Sequence, residues 1–269
     1  MRQSLLAEKK HVERKIQGTP PLRGAASLRS VACTRLLIAA LAGCLCIAIS
    51  GDVHAEGAPQ RGPLFFPTGP GAGEVRIAAG ASLDILPRRL VEAEQRELPK
   101  VTGNIRFGLP AGFSTDARLS AIVVANEFQI GAAWSQRVRD VSFSIQEHFG
   151  LWFGYVGTAG FDASAWGVLN TPGVSIGAPM GYVRFTLGWE LLLLQGQHVN
   201  VGDGSVNKRK ISYEGHMSSL TVENLLDCGG VIYFGLGVIY SRPDYQLWLA
   251  FSDANKKTIY PRFVAGYEF

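Results

Sequence analysis

From residue 75 onward the chain alternates apolar and polar side chains with a period of two, the spacing that sends neighbours in an extended strand to opposite faces. Val75, Ile77, Ala79, Ala81, Leu83 and Ile85 make one row, and Arg76, Ala78, Gly80, Ser82 and Asp84 the other. Val101, Gly103, Ile105, Phe107 and Leu109 stand against Thr102, Asn104, Arg106 and Gly108. A strand around Leu119 to Ala125 precedes Phe128, Ile130, Ala132 and Trp134, which alternate with Gln129, Gly131, Ala133 and Ser135. Val141, Phe143, Ile145, Phe149, Leu151 and Phe153 follow, opposed by Ser142, Ser144, Gln146, His148, Gly150 and Gly154. The most regular row is Val183, Phe185, Leu187, Trp189, Leu191 and Leu193, with Arg184, Thr186, Gly188 and Glu190 between. Further strands are expected from Arg209 to Thr221, Gly229 to Tyr240, Tyr245 to Ser252 and over the terminal stretch, about ten in all.

No run of eighteen apolar residues follows residue 55, so membrane-spanning helices are excluded there. Segments of about ten residues suit a tilted strand crossing a bilayer, and closure into a barrel removes edges that lipid cannot satisfy. The expected fold is all-β, an antiparallel up-and-down transmembrane β-barrel of eight to ten strands over residues 74–269. Alternation alone does not say which face meets what, because a soluble lipid carrier would turn its apolar row inward. The polar row carries charges of both signs: Arg76, Asp84, Arg106, Arg184, Glu190, Lys210, Glu214, Arg262 and Glu268. Such a set fills a narrow lumen with salt bridges. Trp134, Tyr155, Tyr213, Tyr240, Tyr245 and Tyr267 fall toward strand ends, where an interfacial girdle would sit.

Upstream, Arg35 is followed by an apolar run from Leu36 to Ile49, then Gly51 and the small-residue site Val53-His54-Ala55, the layout of a secretory signal peptide. Residues 1–55 are read as an extended basic region plus this leader. Leu41-Ala42-Gly43-Cys44 resembles a bacterial lipoprotein lipobox, although the residues after Cys44 stay apolar. Cleavage after Ala55 would leave Cys228 as the lone cysteine, with no disulfide or cysteine metal site within the chain. Residues 56–73, rich in Pro and Gly and without a period, read as a flexible segment. Pro87 to Pro99 is charged and fits a short helical turn or a loop.

Composition agrees with strands: 32 glycines against 3 methionines, and 10% aromatic residues. The net charge of +4 belongs to the leader, which takes eight of the 26 Lys/Arg and three of the 22 Asp/Glu, leaving 18 basic against 19 acidic residues. Without a basic stripe there is no case for nucleic acid.

The chain ends Tyr267-Glu268-Phe269, with Arg262 seven positions from the end. This resembles the closing strand of bacterial outer-membrane β-barrels, in which a terminal aromatic, a second aromatic two before it and a polar residue are read by the barrel-insertion machinery. The family's glycine five before the end is Val264 here, with Gly266 displaced. The resemblance implies an outer-membrane location, contact with lipid and lipopolysaccharide, and insertion-machinery recognition of Arg262, Tyr267 and Phe269.

One stretch has the residue types of an active site. On a regular strand Glu214, His216 and Ser218 share a face, roughly 6.6 to 7 Å apart in successive pairs, so His216 could serve as base, Ser218 as nucleophile and Glu214 as orienter. His-x-Ser on a barrel strand resembles the outer-membrane lipid A deacylases, which implies a serine-type lipid esterase. The departures are Ser219 where that family has asparagine and Gly230 where it has an orienting glutamate. The plain alternative is a polar lumen that contains a histidine. Glu147-His148, His198 and Asp203 are too scattered to make a metal site, and no cofactor is expected. Val201 to Ser205 reads as a turn rather than a phosphate loop. The glycine-rich stretch from Gly157 to Gly181 reads as an extracellular loop.

Overall fold

The computed structural model describes residues 64–87, 97–122, 125–158, 161–208, 210–226, 229–241 and 257–269. The leader with Cys44, residues 56–63, the charged stretch 88–96, Cys228 and the strand expected from Tyr245 to Ser252 lie outside them. Among the described residues there are twelve strands: β1 (Val75–Ile85), β2 (Glu97–Gly108), β3 (Phe113–Ala121), β4 (Ala125–Val138), β5 (Val141–Thr158), β6 (Phe161–Asn170), β7 (Gly173–Met180), β8 (Val183–Val201), β9 (Gly204–Lys208), β10 (Ser212–Leu225), β11 (Val231–Ser241) and β12 (Thr258–Glu268). All neighbours pair antiparallel, and β12 returns to β1 with Asp84 opposite Arg262 and Ala78 opposite Glu268, closing the sheet.

Two of the barrel's strands are broken in two. β6 pairs with the outer part of β5 and β7 with its first part, while β8 borders both on the other side. They lie end to end as one strand interrupted at Thr171-Pro172. β9 and β10 likewise follow one another along β8. The result is a closed ten-strand antiparallel barrel, at the upper limit of the expected range.

The glycine-rich stretch from Gly157 to Gly181 is therefore wall, not the loop expected. Its alternation is hard to read because its inward positions are small, and they are small because other side chains occupy the space. Gly167 faces Trp152 across the β5–β6 pair, where a Cβ would come within 2.5 Å of the indole nitrogen. A Cβ on Gly177 would lie 2.7 Å from atoms of Phe66 and Pro67. Pro172, which has no N–H to give, sits in the gap where β5 passes from one partner to the other.

The apolar row points outward. Val101 is 68% exposed, Ile145 59% and Ile130 54%, whereas Arg76 is 3% exposed and Asp84 1%. This overturns the soluble-carrier alternative, which needs the reverse. Along β5 the one outward carboxylate between apolar neighbours is Glu147, flanked by the exposed Ile145 and Phe149. Trp134, Tyr155, Tyr213, Tyr240 and Tyr267 lie near strand ends, as a girdle requires, and Tyr245 is outside the described residues.

The two ends of the barrel differ. At the end that carries Val75 and Glu268, connections are short: residues 109–112, Arg139-Asp140, Gly181-Tyr182 and 226–230. The Arg139 turn holds a φ of 56° and Gly181 one of 64°, values that a two-residue hairpin turn demands. At the far end β5 and β8 run to 18 and 19 residues, longer than the span needs, and carry the β5–β6 and β8–β9 hairpins beyond the other strands.

Candidate functional site

The inward row concentrates charge in a confined space, and two of its groups are built on opposite-sign pairs. Asp84 on β1 is gripped by Arg262 on β12, with Nε to Oδ1 at 2.6 Å and Nη2 to Oδ2 at 2.9 Å, and by Lys100 Nζ on β2 at 2.7 Å. A second group crosses the lumen: Arg118 on β3 donates to Asp116 at 3.2 Å and to Glu190 on β8 at 3.0 Å. Gln146 on β5 donates to the same Glu190 oxygen at 2.7 Å, and His148 Nε2 meets Asp116 at 2.8 Å. A two-pronged guanidinium–carboxylate contact fixes orientation as well as charge. Of the inward charges expected from the sequence, only Lys210 is misplaced, being exposed in the link between β9 and β10.

The third group does not belong to the wall alone. Residues 64–70, part of the stretch expected to be a flexible segment, are seated in the barrel end that carries the short turns. Leu64 is 5% exposed and Phe66 4%. The Leu64 N–H donates to Glu268 Oε2 at 2.9 Å and the Phe65 N–H to Glu223 Oε1 at 2.9 Å. Arg106 returns the exchange, donating from Nη1 to the carbonyls of Leu64 at 2.8 Å and Phe66 at 3.3 Å, and from Nε to Ser114 at 3.0 Å. The Phe65 ring lies 4.6 Å from that of Tyr233, and the Arg184 guanidinium stands 5.6 Å from the Phe66 ring. Such packing over an aromatic face favours the cation. Beyond it, Gly69 N–H closes a turn on the Phe66 carbonyl at 3.0 Å, and Gly73 N–H reaches Gly108 at 2.9 Å on the way into β1. The sequence signal was the apolar triplet Leu64-Phe65-Phe66, too short to carry a period.

Above this plug lies a cavity of about 240 Å³, floored by Leu64 and Phe65 and walled by Asp116, Arg118, Gln146, Thr186, Glu190 and Met217 among others. At the far end Leu86, Trp152, Leu169, Leu192, Leu194, Ile239 and Tyr260 pack together inside the barrel. Peptide thus lines one end of the lumen and an apolar cluster packs inside the other.

The proposed catalytic trio is not brought together. β10 carries a bulge against β8: Tyr213 pairs with Leu193 and Gly215 with Leu192, leaving Glu214 as an extra residue. An inserted residue reverses the facing of everything after it. Glu214 is 1% exposed and accepts from the Ser212 hydroxyl at 2.5 Å, while Met217 and Ser219 line the cavity. His216 and Ser218 consequently fall on the outer row, Ser218 opposite Trp189 and Val238. His216 is engaged elsewhere: its Nδ1 meets the Tyr213 hydroxyl at 2.6 Å, and its ring lies 5.4 Å from Tyr240 and 6.1 Å from Trp189. This corrects the expectation that all three share a face. Among the described residues no three His, Cys, Asp or Glu side chains are grouped to hold a metal ion.

At the closing strand, Arg262 faces the lumen, Phe263 and Phe269 are 38% and 65% exposed outside, and Glu268 is inside at 1%. The Tyr267 and Phe269 rings meet edge to face at 5.0 Å.

No family model matches the chain, and no curated protein matches its sequence. Among solved structures it is similar to Neisserial surface protein A (11% identity, 72% of this chain and 94% of that one, TM-score 0.35). It is similar to the outer membrane protease OmpT from Escherichia coli (9% identity, 72% and 96%, TM-score 0.40). A third is the translocator domain of autotransporter NalP from Neisseria meningitidis (13% identity, 90% and 96%, TM-score 0.38). Likeness this distant carries no information about what the chain binds or does.

Two outcomes follow from the site's geometry. Asp84→Ala leaves Lys100 and Arg262 buried without their shared carboxylate, and a buried pair broken on one side costs about 3–5 kcal/mol. Urea unfolding of the detergent-solubilised barrel should show that loss, and a change within error of zero would remove Asp84 from the packing account. Ser218→Ala, at an outward position away from Glu214, should leave the acyl pattern of lipid A unchanged by mass spectrometry relative to cells expressing the parent chain.

Proposed function

We propose that this chain is an integral outer-membrane β-barrel with a closed resting lumen, serving a structural or interaction role rather than general diffusion. The observation that carries the reading is the outward apolar row around a sheet with no free edge. A closed sheet satisfies its own backbone in lipid, and an outward band of Val, Ile, Leu and Phe flanked by aromatics is what a bilayer requires of its solute. A soluble protein rarely exposes so large a contiguous apolar surface.

The orientation follows from the two ends. Short turns and both ends of the barrel chain belong to the periplasmic side, and the longer β5–β6 and β8–β9 hairpins to the outside, in contact with lipopolysaccharide. The closing strand supports recognition by the insertion machinery, since Phe269 projects outside the barrel beside Tyr267, with Arg262 turned away into the lumen. The filled interior argues against a standing pore: ion pairs cross it, the 64–68 segment blocks one end and an apolar cluster the other.

Membrane fractionation and heat-dependent gel mobility test the location. The full chain should sediment with outer membrane and shift its mobility on boiling; recovery in the soluble fraction without detergent would defeat the proposal. Planar-bilayer recording of the purified barrel should be silent, and stable single-channel steps would reverse the closed-lumen part alone. Deleting Phe269 should lower the heat-modifiable fraction in the outer membrane severalfold, and full insertion of the truncated chain would reduce the ending to a plain strand terminus.

A further inference from the structure

The contacts that hold residues 64–68 have the composition of a receptor rather than of a tether. Nothing in Leu64-Phe65-Phe66-Pro67-Thr68 is charged, yet the segment is held by titratable wall residues that address its backbone: Glu268 and Glu223 take two successive N–H groups, and Arg106 donates to two carbonyls. Each Phe ring has its own seat, Phe65 on Tyr233 and Phe66 beneath Arg184. The wall is cut to this shape, since Gly177 leaves the space that Phe66 and Pro67 occupy. Backbone hydrogen bonds combined with pockets for particular side chains are how an extended peptide is recognised. The second oxygen of Glu223, fully buried, has no hydrogen-bond partner among the described residues. The bound segment thus leaves acceptor capacity in the mouth unused.

We propose that the periplasmic mouth of the barrel is a binding site for an extended, uncharged peptide segment bearing two adjacent aromatic residues. In the resting protein it is filled in cis by Leu64–Thr68, and vacating it opens the lumen cavity to the periplasm. Leu64 and Phe65 line the same cavity as Thr186 and the charged wall, and Phe66 and Pro67 cover Gly177, the register partner of Thr186, so withdrawal of the whole segment uncovers that wall. The apolar cluster at the far end stays in place, which makes the opened state a chamber facing one side rather than a channel. The intramolecular occupant is favoured by its tether, equivalent to a local concentration on the order of millimolar. A partner in trans must therefore match the segment's chemistry and be presented at high local density.

The test reads access to the cavity in the full chain, leaving the rest of the wall intact. A Thr186→Cys reporter in a background with Cys33, Cys44, Cys46 and Cys228 all replaced by Ser is exposed to a small anionic thiosulfonate reagent in detergent, with heat-dependent mobility confirming a closed barrel in every variant. Two released forms are compared with it: Leu64→Pro with Phe65→Pro, which removes both N–H donors, and Phe66→Lys, which sets a like charge against Arg184 and Arg106. Labelling of each released form should be about tenfold faster or more, as expected when an equilibrium shifts from mostly closed to substantially open. Equal rates in reporter and released forms would overturn the gate. A peptide acetyl-Leu-Phe-Phe-Pro-Thr-Gly-amide at millimolar concentration should slow labelling of the released forms, and the same peptide with both Phe replaced by Asp should not. No slowing, or equal slowing by both peptides, would overturn the receptor. Because access is read in detergent, either failure leaves the outer-membrane reading intact, and a soluble chain would be detected separately by fractionation.

Discussion

Closure of the sheet between β1 and β12 is the constraint from which the other features follow. In a hydrocarbon medium an unpaired N–H or C=O costs several kcal/mol, so an open edge of eleven residues would be prohibitive. Pairing from Ala78–Glu268 to Asp84–Arg262 removes that edge. With the sheet a ring, the period-two alternation puts Val, Ile and Phe on the outer surface and confines the charged row to the interior. Asp84 and Arg262 then face one another because they are partners in the closing register, and Lys100 joins them because β2 presents it opposite Ser82 on the same side.

Confinement explains why the lumen is filled. A narrow barrel encloses little more than its own side chains, and charges there are costly unless paired. The structure meets this in two ways. Arg118 spans from β3 to Glu190 on β8, tying opposite walls with salt bridges. Elsewhere bulk replaces charge: Trp152 occupies the space left by Gly167, and the cluster around Leu192, Leu194 and Tyr260 packs the far half of the lumen with apolar groups. Small inward residues on β6 and β7 are the complement of large ones elsewhere.

That complementarity marks the limit of what the sequence disclosed. Where both rows carry sizeable, unlike side chains, as in β1, β4, β5, β8 and β12, the faces were legible, including the burial of Glu268 and the exposure of Phe263 and Phe269. Where the inward row is Ala and Gly, the pattern from Gly157 to Gly181 vanished, although a Trp and several Val and Ile marked the outer row. A second failure has a different cause. A bulge leaves no trace in a period-two count taken from both sides, and at Glu214 it divided a plausible trio between the interior and the outer face. The outward seat of His216 is signalled by neighbours three strands deep, Trp189, Tyr213 and Tyr240, which meet only after folding.

The plug shows how one uncharged segment can answer charges of both signs. The mouth holds Arg76, Arg106, Arg184, Glu223 and Glu268, with Arg76 also paired to Glu74 and 3.7 Å from Glu268. A charged insert would neutralise one sign and add to the other. A peptide backbone supplies donors and acceptors together, and the bonds that its carbonyls accept from the Arg106 guanidinium are charge-assisted, roughly twice as strong as neutral ones. Leu64 alone both donates to Glu268 and accepts from Arg106. Pro67 and Pro70 restrict the unbound segment and so lessen the entropy lost on seating it. The absence of charge between Leu64 and Gly73, which made this stretch look like a mere linker, is the property that lets it fit.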